Sequence, residues 1–167
     1  EAQKLPQTVF IYSAVKFMAE TAKILNPSKR VFIANVDPRC SLAESITAQE
    51  VRDLRIQYPT HKFLCYINTT ADVKAECDIC VTSSNVYDIV KNCGSNKIVF
   101  LPDRFMGQNL INYCKDNNIQ KEIVLAGGVC VVHERYGASE IRYWRERYKD
   151  LFVLSHPECN PEVVENS

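Results

Sequence analysis

Two cysteines stand at Cys77-x-x-Cys80 spacing inside NTTADVKAECDICVTSSN (68–85), between two runs of Asn, Ser and Thr. Such a pair invites zinc or redox chemistry, yet zinc asks for a second pair and thioredoxin-like chemistry for a helix N-terminus. Here the pair brackets Asp78 and Ile79 at the entrance of an apolar strand pattern, where side chains three apart are expected on opposite faces of a sheet. The expected role of Cys77 and Cys80 is therefore structural. More chemistry gathers where apolar runs end. Cys40 follows VFIANV (31–36); Tyr66, Asn68, Thr69 and Thr70 end or follow KFLCYI (62–67); Ser83, Ser84 and Asn85 follow DICVT (78–82). Asp103 and Arg104 follow KIVFLP (97–102), Gly127, Gly128, Cys130, His133 and Glu134 follow EIVLAG (122–127), and His156, Glu158 and Cys159 follow LFVLS (151–155). Tyr66, Asn68, Ser83, His156 and Glu158 arrive together as candidates for binding and proton transfer. Cys40 and Cys130 are loop thiols that only the fold can bring together, and two cysteines alone do not complete an iron–sulfur cluster, which wants roughly three or four. Cys159 could supply a third by position, but it sits beside His156 and Glu158.

These residues need a scaffold that turns strand ends toward one side. The apolar runs, with TVFIYSAV (8–15) as the first, are near-continuous rather than alternating, as strands buried on both faces of a parallel sheet are. Helical patterns lie between most of them. Thr47-Ala-Gln-Glu50 is a capping box opening a helix to about Tyr58, Thr70 or Ala71 opens a short one, and Ser84 is expected to cap NVYDIVKNC. Arg104 to about Asn117 and Ser139 to about Asp150 complete the set. Strand alternating with helix predicts α/β architecture with parallel sheets, in which ligands bind beyond the carboxyl ends of the strands. Helix N-termini there suit an anion.

Composition narrows the partners. With 20 basic and 20 acidic residues the net charge is zero, and no long Lys/Arg cluster points to nucleic acid or an anionic membrane surface. No stretch approaches the roughly 20 apolar residues of a membrane span. The eight cysteines lack disulfide-framework spacing, so reduced thiols and a cytoplasmic home are expected, with a plastid possible were a transit peptide to precede residue 1. Cys65, Cys93 and Cys114 lie in apolar patterns and read as core. Residue 1 is Glu and the chain stops just after a strand pattern, so it reads as an internal fragment.

Six segments, FMAETAKILNP (17–27), CSLAES (40–45), YINTTADVKAECDICVTSSN (66–85), VFLPDR (99–104), GGVCVVHERY (127–136) and HPECNPEV (156–163), resemble the quinolinate synthase family, in the same order over nearly the whole chain. The resemblance implies three small α/β/α domains around a pseudo-threefold axis. On that pattern 1–40 ends a first domain, 41–61 is a connecting helix, 62–130 is a second domain, 131–150 is another connecting helix and 151–167 starts a third. It implies a [4Fe-4S] cluster with Cys40 and Cys130 as two ligands and the third cysteine in a segment outside this chain. It implies condensation of iminoaspartate with dihydroxyacetone phosphate to quinolinate, losing water and phosphate, with L-aspartate oxidase as a possible supplier. Tyr66, Asn68, Ser83, His156 and Glu158 match the family's substrate-binding positions, with Glu158, assisted by Tyr66 and His156, the expected proton-transfer group. Lys16 with the Ser-Ala-Val before it, and Arg39 before Cys40, depart from the family pattern. The family's N-terminal His and Tyr, and the Ser–Thr and Thr–Glu elements of its third domain, have no counterpart, so the isolated chain is expected to give no turnover.

Three other readings stand beside this one. A non-enzymatic thiol or zinc-binding α/β protein would use Cys77 and Cys80. A flavodoxin-like nucleotide module would need a glycine-rich loop after the first strand, and the chain has only five glycines. An inactive relic of the synthase would share the fold without the cluster.

Overall fold

The computed structural model describes residues 2–167. Apolar runs become parallel strands, and the two sheets they form differ in depth. In the smaller sheet β1 (Val9–Tyr12) pairs with β2 (Arg30–Ile33) across helix α1 (Lys16–Leu25). Both strands alternate between exposed and half-buried positions, so this sheet carries one face in solvent. The larger sheet comprises β3 (Lys62–Tyr66), β4 (Ile79–Val81), β5 (Lys97–Leu101) and β6 (Glu122–Leu125) in the order β4-β3-β5-β6. All its pairings are parallel. The two central strands, KFLCY and KIVFL, are buried at four of five positions, which is why their sequence is continuously apolar.

Side-chain alternation along β3 and β5 sorts the core into two halves. Leu64, Tyr66, Ile98 and Phe100 pack against Val86 and Val90 of α4 (Val86–Asn92) and against Met106, Leu110 and Cys114 of α5 (Arg104–Asp116). On the opposite face Phe63, Cys65, Val99 and Leu101 meet Val51 of α2 (Ala48–Gln57) and Val73 of α3 (Ala71–Ala75). The result is a three-layer α/β/α sandwich, as expected. Its capping box is formed: Thr47 Oγ1 accepts the Glu50 N–H at 3.3 Å and Glu50 Oε2 accepts the Thr47 N–H at 2.7 Å. A single 3₁₀ turn (His133–Arg135), α6 (Ala138–Arg147) and α7 (Pro161–Glu165) complete the chain.

Four local expectations are corrected. LFVLS (151–155) forms no strand; among the described residues nothing pairs with it, and Phe152 and Leu154 stand in solvent. Ser84 does not cap α4: Asn85 holds that position, its Oδ1 accepting the Thr82 N–H at 2.7 Å. Gly137, not Ser139, precedes α6, which ends at Arg147. Cys77 and Cys80 do not obey strand alternation, because Cys77 lies before β4 in the turn that ends α3, its N–H bonded to Lys74 O at 3.1 Å. Both thiols lie beside the thiol of Cys65 and shift its ionisation. Helices α1 and α7 carry no expectation above, and α7 is capped by Asn160, whose Oδ1 accepts the Glu162 N–H.

Candidate functional site

β3 delivers Tyr66 at its last position, and the chain then turns sharply. Thr69, fully buried, closes that turn by donating from Oγ1 to Tyr66 O at 2.9 Å, while its N–H bonds Ile67 O. The turn sends the Asn68 side chain away from the sheet, where its Nδ2 donates to Glu158 Oε1 at 3.0 Å. Glu158 reaches the same spot from the far end of the chain. The segment bearing it is held by Asn109, a buried amide on α5 that donates to Pro157 O and Cys159 O, each at 2.9 Å. A buried amide in an amphipathic helix would cost stability without partners, and these two carbonyls satisfy it.

The Glu158 carboxylate is 3% exposed and collects further contacts. His133 Nδ1 lies 2.9 Å from its Oε2, and the His133 ring stacks on His156 at 5.1 Å between centroids and 18° between planes. His156 keeps an exposed edge, and its Nδ1 accepts the Glu158 N–H at 3.3 Å. The Tyr66 phenol is pushed well above its usual range, first by burial, then by the Glu158 charge and the hydrogen bond to that carboxylate. A hydrogen bond with Ser83 opposes the shift. Tyr66, Asn68, Ser83, His156 and Glu158, read from the sequence as one set, thus meet in one cluster.

Two further residues belong to it. Asp103, 1% exposed, caps α5 by accepting the Met106 N–H at Oδ1, 2.8 Å, while Oδ2 has no partner. Burial raises its carboxyl from 3.8 to about 7, with the Glu158 charge adding to the effect. His133 is the other. Both stood among the strand-end residues, but nothing in their own sequence neighbourhood ties them to Glu158. Cavities of about 380 Å³ beside His133 and His156 and about 400 Å³ beside Asn68, Tyr12 and Phe17 flank the cluster.

The loop thiols lie close by. Cys40 and Cys130, both half-buried, pack against the core half that contains Tyr66. Their loops are tied where the Gly128 N–H donates to Ser45 Oγ at 3.0 Å. Gly127 makes that approach possible: it sits at φ 104°, and a Cβ there would stand 2.4 Å from Pro102 O. Cys130, His133 and Glu158 each present a ligand atom, all within 4.8 Å of one another. A thiol, an imidazole and a carboxylate at that spacing can hold a metal. Among the described residues no helix is long and apolar enough to cross a membrane.

A parallel α/β fold that gathers a carboxylate, a phenol, an amide and two imidazoles beyond its sheet, with thiols beside them, sets out groups able to bind a polar ligand, move a proton and hold a metal. The sequence places it more closely. Residues 1–167 match the family described as "Quinolinate synthetase A protein", and the chain belongs to that family. It is 45% identical to "Quinolinate synthase 1" of Mesorhizobium japonicum, across 98% of this chain and 49% of that protein. Identity is 44% to the quinolinate synthase of Aquifex aeolicus (98% and 51%) and 41% to that of Caldicellulosiruptor bescii (96% and 52%). The chain spans about half the length of the curated relatives it matches.

Proposed function

We propose that the protein containing this chain is a quinolinate synthase, condensing iminoaspartate with dihydroxyacetone phosphate and releasing water and phosphate, as a step of NAD biosynthesis. L-aspartate oxidase is the proposed supplier of iminoaspartate. The observation that carries this reading is the buried Glu158 carboxylate, held by Asn68 and His133 and hydrogen-bonded to Tyr66, in a chain of this family. The family's three-domain division, with the boundaries given above, is part of the same proposal.

Cys40 and Cys130 would hold a [4Fe-4S] cluster together with a cysteine outside this chain, and the tied loops and half-buried thiols fit such a group. When bound, the cluster supplies a Lewis-acidic iron toward a substrate oxygen. The chain's own residues do the rest. Condensation and dehydration require a proton to leave carbon and another to reach departing hydroxyl oxygen; Glu158 takes and returns it. Asn68 and His133 fix the carboxylate so that it need not reorganise. Tyr66, its phenol raised, keeps its proton at neutral pH and donates to a substrate oxygen. His156, with an edge in solvent, relays protons between Glu158 and water. Ser83 binds a substrate carboxylate or phosphate through its hydroxyl.

The test uses the full-length protein expressed without oxygen. Quinolinate should form from the two substrates, and Glu158→Gln should lower kcat by about a hundredfold or more, as loss of a general acid–base does. Cys40→Ala and Cys130→Ala should each lose iron and visible absorption. Unchanged turnover in Glu158→Gln would refute its role, and iron indifferent to both cysteines would refute the ligand assignment.

A further inference from the structure

Cys77 and Cys80 have no part in the proposed chemistry, yet with Cys65 they form a trio. Cys65 on β3 stands opposite Cys80 on β4 in parallel register, so both side chains project to the same face. Neighbouring strands lie about 4.8 Å apart, and a disulfide spans Cα atoms roughly 4.4–6.8 Å apart. The thiols of Cys77 and Cys80 both stand near enough to the Cys65 thiol to shift its ionisation. Cys65 is fully buried, whereas Cys80 is exposed on β4, the edge strand. Among the described residues, only Cys130, His133 and Glu158 bring three such ligand atoms within 4.8 Å of one another, so the three thiols do not close around one ion.

We propose that Cys65 and Cys80 form a reversible cross-strand disulfide, a modification site whose oxidant is a hydroperoxide. The two sulfurs lose two electrons and bond to each other; the peroxide O–O bond breaks, and both thiol protons end on its oxygens as an alcohol and water, or as two waters from hydrogen peroxide. Cys80 is the partner rather than Cys77 because it is the register neighbour on a rigid strand and reaches solvent. The reaction is slow at neutral pH. The Cys77 thiol, then burial, pushes the Cys65 thiol up to about 12, and the neighbouring Cys65 thiol pushes Cys80 up as well. The Lys74 ammonium opposes both shifts and speeds ionisation as pH rises.

The site's position gives it reach. The register step after Cys65 and Cys80 is Tyr66 opposite Val81, from which the chain runs to Asn68 on one strand and Ser83 on the other. Lys74 also donates to the carbonyl oxygens of Ile67 and Thr69, either side of Asn68. A covalent tie at this step fixes the spacing of the two strand ends behind the rim.

The test needs no assay of turnover, so it stands or falls apart from the proposed function. The chain is treated with hydrogen peroxide, its remaining thiols are alkylated, and its tryptic peptides are read by mass spectrometry. Peptide 63–74, which holds Cys65, should be joined to peptide 75–91, which holds Cys77 and Cys80, and the joined pair should vanish on reduction. Fragmentation between Asp78 and Ile79 of the wild-type pair assigns the partner without any substitution. A link to Cys80, retained in Cys77→Ser and lost in Cys80→Ser, is the expected result. A link to Cys77, a disulfide confined to peptide 75–91, or no link at all overturns the proposal.

Discussion

Asp103 has two tasks that compete within one carboxyl group. Its Oδ1 caps α5, which favours the charged form, while burial and the neighbouring Glu158 disfavour it and win, lifting the carboxyl from 3.8 to about 7. The folded chain therefore holds this proton more tightly than the unfolded chain. The stability so gained is fully present below the unfolded value and is lost as pH rises toward about 7. At 1% exposure little solvent screens the effect, and its size is on the order of 4 kcal/mol. Asp103→Asn keeps a capping amide and removes the charge. Urea midpoints measured on either side of that window should fall with rising pH in the wild type and stay nearly level in the variant; an equal fall in both would assign the titration elsewhere. Asp103 and His133 also mark a limit of sequence reading. Tyr66, Asn68, Ser83, His156 and Glu158 were legible as a set, but a lone Asp at a helix start reads as a cap. Its second role appears only when Glu158 is carried there by the fold.

Helix α5 shows how an element positions what it does not itself supply. Its inward face is mostly Met106, Leu110 and Cys114, and Asn109 interrupts that face to grip the backbone on both sides of Glu158. Asn109→Ala leaves Pro157 O and Cys159 O unpaired and should cost roughly 1–3 kcal/mol. Denaturant unfolding reads that cost, and the faster hydrogen exchange expected for 157–160 over the rest of the chain locates it. A variant as stable as the wild type, with that segment still protected, would mean the amide fills space only. The same level explains which elements were readable. KFLCY and KIVFL were recognisable because central strands of a parallel sheet are apolar throughout. LFVLS has the same composition and forms no strand, since a strand exists only with a partner, and none of the described residues supplies one. Alternation misplaced Cys77 for a related reason: the strand begins two residues later, and a turn obeys no period of two.

The molecule is uneven in depth, and its stability should follow. In the four-stranded sheet β3 and β5 are covered on both faces by helices, so their amides exchange only when much of the sandwich opens. The β1–β2 sheet has two strands, with Val9 and Ile11 turned to solvent, Ile11 at 72% exposure. Two paired strands with one wet face are marginal by themselves, and the contacts that hold this sheet come chiefly from α1. The proposed site draws on the deep sheet for Tyr66, Asn68, Ser83 and Asp103 and on loops for His133, His156 and Glu158, so a rigid half faces an adjustable one. Native-state hydrogen exchange should rank the amides of Phe63 to Cys65 and Val99 to Leu101 slowest, those of β1 and β2 well ahead of them, and the loop carrying His133 faster still. If β1 and β2 exchanged as slowly as β3 and β5, the two sheets would unfold as one cooperative unit, and if the loop carrying His133 did so, the division between a fixed rim and a movable one would have no basis.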